Sequence, residues 1–178
     1  MKLDQYNNSN FDRGKPWAVE ALWRVIEGIL FSSWLPGSGW RRICLRVFGA
    51  TIGQGVVIKP RVRIKFPWRL TIGDHSWIGE SVWIDNLARV SIGDHCCISQ
   101  GVYICTGSHR WDKSSFDLEV KPVKINNQVW ICANSTVAPG VTLMEGSVLT
   151  LASLANCDCD AWTIYSGVPA SKFKPRQS

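Results

Sequence analysis

Residues 51–58 read TIGQGVVI, residues 71–78 read TIGDHSWI and residues 91–98 read SIGDHCCI. One phrase therefore returns three times at a spacing of twenty residues. A fixed short period marks a solenoid, because each repeat is a small unit that buries its apolar face only against the next copy. A finer beat runs inside the phrase. Ile52, Ile58 and Ile64, then Ile72, Ile78 and Ile84, then Ile92, Ile98 and Ile104 fall six residues apart within each set. Three hexads account for eighteen of the twenty residues, and the two extra, in the stretches IKFPWRLT and IDNLARVS, lengthen one corner of each coil. The pattern predicts three short strands and three turns per coil, with one inward aliphatic per strand and no room for a helix. A Gly follows Ile52, Ile72, Ile78 and Ile92, as expected where a corner needs positive φ or close stacking of backbones. The beat resumes at Ile125, Ile131, Val137, Leu143, Leu149 and Ala155, which makes the chain an all-β solenoid of about five coils.

Length and composition agree with one core. The 178 residues are 46% hydrophobic, with ten Trp against three Tyr. Seven Cys is an odd number, and no metal-type spacing occurs apart from an isolated CDC at 157–159. Such usage predicts reduced thiols in a cytoplasmic protein rather than a disulfide framework or a zinc site. The formal charge of +6 suits an anionic partner such as coenzyme A phosphates, an anionic lipid surface or a nucleotide-linked sugar. No nucleic-acid-binding module is visible.

Ahead of the repeats, residues 1–16 read as a polar, irregular arm. Pro16 to Ser32 reads as an amphipathic helix, with Glu20, Arg24 and Glu27 on one face and Val19, Leu22, Trp23, Ile26, Leu30 and Phe31 on a wide apolar arc. It is too short and too charged to span a membrane, and no signal-peptide cleavage pattern follows it. Two roles are open. The helix can cap the first coil's free edge. It can also lie on a membrane surface, with Trp17, Trp23, Trp34 and Trp40 as interfacial anchors and Arg41, Arg42 and Arg46 behind them. The expected layout is thus arm and helix over 1–50, repeats over 51–166 with a loop at about 108–122, and a tail over 167–178. Lys59, Arg61, Arg63, Lys65 and Arg69 form a basic run on outward positions, which by default is a solvated face.

The three His divide unequally. His75 and His95 occupy the same place in successive IGDH corners, which repeat equivalence explains. His109 stands where the repeat breaks, at the end of CTGSH, with RWDKSSFDLEVKP leaving the solenoid behind it. Long loops on a rigid scaffold are where function is usually placed.

Repeats of an aliphatic, Gly and four more residues, ended by SGVPA at 166–170, resemble the hexapeptide-repeat acyltransferases. That resemblance, and not the residues alone, implies a left-handed parallel β-helix. Residues 55–109, together with FDLEVKP at 116–122, closely resemble the colanic acid biosynthesis acetyltransferases of the WcaF type. These belong with the galactoside, maltose and nodulation-factor O-acetyltransferases. The resemblance implies an enzyme that moves acetyl from acetyl-CoA to a sugar hydroxyl in exopolysaccharide or glycan biosynthesis, working as a homotrimer with sites between adjacent prisms and needing no metal. The acceptor is a saccharide, nucleotide- or lipid-linked. His109 matches the general base of the family's T-G-x-H stretch, and the loop beyond it the one that folds over a neighbouring subunit. Asp85 and Asn86 match acceptor contacts, with Trp83 nearby as a sugar-stacking surface. Trp130, Ala133, Leu151 and Ala152 match positions along the coenzyme A groove, and Lys172 and Lys174 are placed to meet its phosphates.

The sequence departs from the family in three places. Arg110 follows the His where relatives often carry Asp or Asn, TLAS stands for G-A-G-S, and NCDCDAW replaces a T-K-D segment, with Cys157 at the lysine position. No Ser or Cys stands in a nucleophile motif beside a base, so direct attack in a ternary complex is expected over an acyl-enzyme. A catalytically inactive β-helix scaffold is the alternative reading. A γ-carbonic-anhydrase-like metal enzyme would need three converging His.

Overall fold

The computed structural model describes residues 2–177, wound into a prism with three parallel walls. The first wall stacks Thr51–Ile52, Leu70–Ile72, Val90–Ile92, Val123–Ile125 and Thr142–Leu143. The second stacks Val57–Ile58, Trp77–Ile78, Cys97–Ile98, Trp130–Ile131, Val148–Leu149 and Thr163–Gly167, and the third stacks Arg63–Ile64, Trp83–Asp85, Tyr103–Cys105, Thr136–Val137 and Leu154–Ala155. Five coils are complete and a sixth is begun. Each hexad aliphatic pairs with its equivalent one coil on: Ile52 with Ile72, Ile58 with Ile78, Ile64 with Ile84. These residues are buried, so the core is a set of stacked aliphatic columns. A two-residue strand has no stability of its own; the columns supply it, at about 1.5–3 kcal/mol per buried aliphatic.

The corners explain the rest of the repeated phrase. The Asp of each IGDH corner braces the coil before it: Asp74 Oδ1 accepts the Gln54 N–H at 2.7 Å and Asp94 Oδ1 accepts the Asp74 N–H at 2.7 Å. The glycines after the aliphatics serve close stacking, since a Cβ on Gly79 would lie 2.5 Å from the Gln100 backbone nitrogen. Positive φ falls instead on neighbouring residues, at 55° for His75 and His95 and 59° for Ser81. The coil is not entirely without helix, because a short 3₁₀ turn at Pro67–Arg69 fills the first long corner.

Both ends of the prism are closed. At the far end Ala170–Pro175 returns antiparallel on Thr163–Gly167. At the near end the cap is larger than the sequence suggests. Helix α1 spans Trp17–Ile26 and runs into a π turn at Glu27–Phe31, and a second helix, α2, spans Gly39–Val47. The first coil's exposed backbone groups are satisfied by cap side chains, as a sheet edge requires. Trp23 Nε1–H donates to Ile64 O at 2.8 Å, Arg42 to Val56 O at 2.9 Å and Arg46 to Ile52 O at 2.7 Å, while Glu27 Oε1 accepts the Ile64 N–H at 2.9 Å.

This packing corrects the list of interfacial anchors. Trp23 is fully buried, Trp40 is half-buried against Phe31, and Arg41 is enclosed, donating to the carbonyls of Phe31, Ser33, Leu35 and Gly37. Trp17 and Trp34 remain exposed, as do Leu22 and Val25 on α1, Ile29 in the π turn, and Ile43 and Val47 on α2. Of the wide apolar arc, Leu22 and Leu30 face outward. No helix among the described residues is long and apolar enough to cross a membrane. The basic run is not simply solvated: Arg61 pairs with Glu80, Lys65 with Asp85, and the Arg63 guanidinium lies 4.3 Å from the Trp83 ring centroid.

Candidate active site

After Tyr103–Cys105 the chain leaves the prism at the corner between the third and first walls. It forms an antiparallel ribbon of Gly107–His109 with Leu118–Val120, then re-enters as Val123–Ile125. A Cβ on Gly107 would lie 2.5 Å from Leu87 Cδ1, so a larger residue there requires that side chain to turn away.

His109 is held firmly. Its Nδ1 is 2.9 Å from the Phe116 carbonyl oxygen, its ring stacks on that of Phe116 at 4.1 Å with parallel planes, and Tyr6 meets it edge-on at 5.4 Å. A carbonyl only accepts, so in the neutral ring this contact puts the proton on Nδ1 and leaves the Nε2 lone pair to take another. Phe116 makes the contact from φ 52°, a left-handed conformation costing a non-glycine residue about 1–3 kcal/mol. The departure at Arg110 has a local outcome. Arg110 forms a two-point ion pair with Asp112, at 2.8 and 2.6 Å, which holds that exposed carboxyl down to about 2. The imidazole is therefore oriented by a main-chain carbonyl, with no carboxylate next to it in sequence. Tyr6 was missed: the arm called irregular lies along the ribbon, with Lys2 N–H donating to Ser114 O at 2.9 Å. Its polar, aperiodic text gives no signal beyond the lone aromatics Tyr6 and Phe11.

Beside the ribbon, the outer face of the third wall carries Trp83 and Asp85, one coil before Tyr103 and Cys105. Trp83 sits between Arg63 and Tyr103, with its ring centroid 4.7 Å from that of Tyr103, so its faces are occupied along the wall. Asp85 pairs with Lys65 at 2.9 Å and accepts from the Tyr103 hydroxyl at 3.3 Å. Burial, then Cys105 and Asp85, push the Tyr103 phenol upward and keep it protonated. A cleft of about 210 Å³ opens between this face and the cap, bordered by Arg24 and Glu27. Asn86 is corrected. It is fully buried, and its amide is spent on the Phe66 backbone, accepting at 2.9 Å and donating at 2.7 Å. It braces the long corner and has nothing to offer an acceptor.

The residues matched to the donor groove lie elsewhere. Ala133, Leu151 and Ala152 share the corner between the second and third walls, where the Ala152 N–H donates to Ala133 O at 3.0 Å. Leu151 is well exposed and Ala133 is buried. Trp130 stands half-exposed on the second wall, its Nε1–H donating to Ser99 Oγ at 3.0 Å. Lys172 and Lys174 are exposed on the terminal strand, Lys172 paired with Asp160 at 3.2 Å. His109 and the Ala133–Ala152 corner thus occupy different edges of one prism, with the third wall between them.

No family model matches the sequence. It is, however, 38% identical over 157 residues to WcaF of Escherichia coli K12, named for acetyl transfer in colanic acid biosynthesis, across 87% of this chain and 86% of that protein. The chain belongs to the hexapeptide-repeat acetyltransferases, in the WcaF group. The fold of a hexapeptide-repeat acetyltransferase from Vibrio cholerae superimposes with a TM-score of 0.84 at 23% identity, covering 99% of this chain and 98% of that one. The same protein in complex with acetyl coenzyme A gives 0.83 at 25% identity, covering 91% and 89%.

The three His that a γ-carbonic-anhydrase-like centre would need do not converge. His75 and His95 stack at 5.3 Å on the corner between the first and second walls, while His109 leaves from another corner. Among the described residues no three His, Cys, Asp or Glu side chains converge. All seven Cys are unpaired thiols, and burial pushes Cys159 up to about 12.

Proposed function

We propose that this acetyltransferase moves acetyl from acetyl-CoA to a sugar hydroxyl by direct attack, with His109 as general base. The Nδ1 contact with Phe116 O carries the reading, since it leaves Nε2 of a neutral ring free to accept a proton. The hydroxyl oxygen attacks the thioester carbonyl carbon while its proton passes to Nε2. The tetrahedral intermediate then collapses, the carbon–sulfur bond breaks, and the imidazolium returns the proton to the departing CoA thiolate. The relative's name supports an acceptor in exopolysaccharide biosynthesis. A lipid- or nucleotide-linked saccharide met on the cytoplasmic side is part of the same proposal. Trp130, Ala133, Leu151 and Ala152 would border the pantetheine arm, and Lys172 and Lys174 its phosphates. Asp85 would meet the acceptor, beside Trp83.

The same reading calls for a trimer. One prism separates His109 from the donor residues by a wall, and packing prisms side by side brings one copy's ribbon to another's corner. A monomer mass by light scattering at micromolar concentration would remove it. The outward apolar face of the cap, Leu22, Val25, Ile29, Ile43 and Val47 with Trp17 and Trp34, supports contact with an anionic membrane surface. Flotation with anionic vesicles at low salt, abolished in a Trp17→Ala/Trp34→Ala variant, checks it. The decisive experiment for the enzyme is calorimetry with acetyl-CoA, followed by mass spectrometry of the host polysaccharide with and without the gene product. Loss of acetyl groups is expected. No donor binding, or an unchanged polysaccharide, overturns the proposal.

A further inference from the structure

The cap reaches every side of the prism's first coil. Arg46 donates to Ile52 O on the first wall at 2.7 Å, Ser38 Oγ–H to Ile58 O on the second at 3.1 Å, and Trp23 Nε1–H to Ile64 O on the third at 2.8 Å. A layer that touches all three walls lies across the prism's end, so its free face looks along the prism axis, away from the coils. On α2, Arg41, Arg42, Leu45 and Arg46 are spent on the inward side, which leaves Ile43 and Val47 on the outward one. On α1, Trp23 is buried, and Glu20 and Glu27 stand three and four residues from it on the same side, while Leu22 and Val25, with Ile29 of the π turn, are exposed.

More than half of the large exposed apolar side chains among the described residues lie between positions 17 and 47. Clustering of this kind, as opposed to single scattered residues, marks an interaction surface. Residues 16–50 hold two carboxylates, and both are engaged inward, Glu27 on the Ile64 N–H and Glu20 on Arg13. The outward face is therefore bare of negative charge. Arg24 stands half-exposed at its edge, and Trp17 and Trp34 supply aromatic anchors. Apolar, aromatic at its margins and flanked by positive charge, the face suits anionic lipid.

The coils then set a height. The ribbon leaves from the third coil, after Tyr103–Cys105, which pairs with Trp83–Asp85 below it and through that strand with Arg63–Ile64 of the capped coil. With coils spaced by about 4.8 Å and a helical layer about 10 Å thick, the base of the ribbon stands about 20 Å from the cap's outer face. In a side-by-side trimer the three caps share one end and dock together.

We infer that the cap seats the prism upright on an anionic bilayer and holds His109 above the headgroups, so that the ring acetylated is one carried out from the membrane on further saccharide units and not the ring joined to the lipid phosphate. The inference rests on the acetyl-transfer reading and on membrane contact, and adds to them an orientation and a height.

Hydroxyl-radical footprinting of the full-length protein, with and without vesicles of phosphatidylglycerol and phosphatidylcholine at low salt, tests the orientation. Trp17, Leu22 and Trp34 should lose most of their labelling on vesicles, while Trp111, Trp77, Trp130 and Phe173 should label as they do without them. Protection that extends to Trp77 and Trp130 puts the prism on its side and overturns the inference, with membrane contact left standing. Protection that grows with protein concentration in the absence of vesicles, with a doubled mass in light scattering, assigns the face to a second copy and overturns it too. No protection removes the membrane reading and this inference together. The height is read from CoA release with hexopyranosides anchored in the same vesicles through oligo(ethylene glycol) spacers. Release should be at least about tenfold faster once the spacer crosses the height than with no spacer, since a tether too short to span adds nothing. A Leu22→Ser/Ile29→Ser/Val47→Ser variant should lose the advantage of anchored over free methyl glycosides and turn over the free ones as wild type does. Equal rates at every spacer length overturn the height. A wild-type protein that acetylates neither anchored nor free glycosides ends the glycan reading and, with it, the height.

Discussion

The corner of the prism and the ribbon beside it treat the same side chain in opposite ways. His75 and His95 sit one above the other, rings stacked at 5.3 Å and both backbones at φ 55°, each set by its place in the coil. His109 has no equivalent one coil away. Its ring is clamped by Phe116 and Tyr6, and its Nδ1 is taken by a carbonyl 2.9 Å away. In the corner the coil fixes the residue; on the ribbon, partners from a loop tip and from the chain's beginning converge to fix one nitrogen. Repetition fixes the corner residues, and the one imidazole clamped by partners distant in sequence stands where repetition stops.

The strongest challenge to that contrast is His109→Ala. Acetyl transfer should fall by a factor of about 10²–10⁴, the usual worth of a positioned base, mostly in kcat. Acetyl-CoA binding and the melting temperature should be nearly unchanged; a variant retaining near-full turnover would end the assignment. The coil's own signature should appear in Ile98→Ala, which opens a gap in a fully buried column. Chemical denaturation should show a loss of about 2–5 kcal/mol, with turnover per folded molecule preserved. His95→Ala should be milder, on the order of 1 kcal/mol of stability, with transfer within about twofold of wild type. Loss of activity in that variant while it stays folded would erase the distinction between corner and ribbon.

The smallest effect belongs to the cap. Burial raises the Glu27 carboxyl above its ordinary value, against the opposing pull of the Ile64 amide and Arg24. A raised folded-state value means that the contribution is fully present below the unfolded value of about 4.3 and lost as pH rises through the folded one. Glu27→Gln keeps an acceptor for Ile64 and removes this loss. Melts should therefore show a small gain in stability at neutral pH that disappears in acid.

The coils were legible because their cause is local and repeated. Ile52, Ile72 and Ile92 announce a column, and the structure stacks them. The glycine after each was half understood, since its reason is a backbone in the next coil and not its own torsion. α2 was not seen, although Trp40, Cys44, Leu45 and Phe48 fall at helical spacing, because its Arg residues read as a basic patch and not as donors to the first coil's carbonyls. The site was legible only as His109. Phe116 O and Tyr6 come from separate stretches without periodicity, and only the folded chain brings them to the imidazole. Asn86 shows the converse: a polar residue in a promising corner, consumed by the backbone beside it.

The ribbon leaves and re-enters at one corner without breaking a ladder. Tyr103 still pairs with Trp83 before it, and Val123 with Val90 after it, as though the intervening residues were absent. Such an excursion is a cartridge. It can be lengthened, shortened or exchanged while the coils on either side keep their register, so a lineage can alter what its members modify without renegotiating how they stand up.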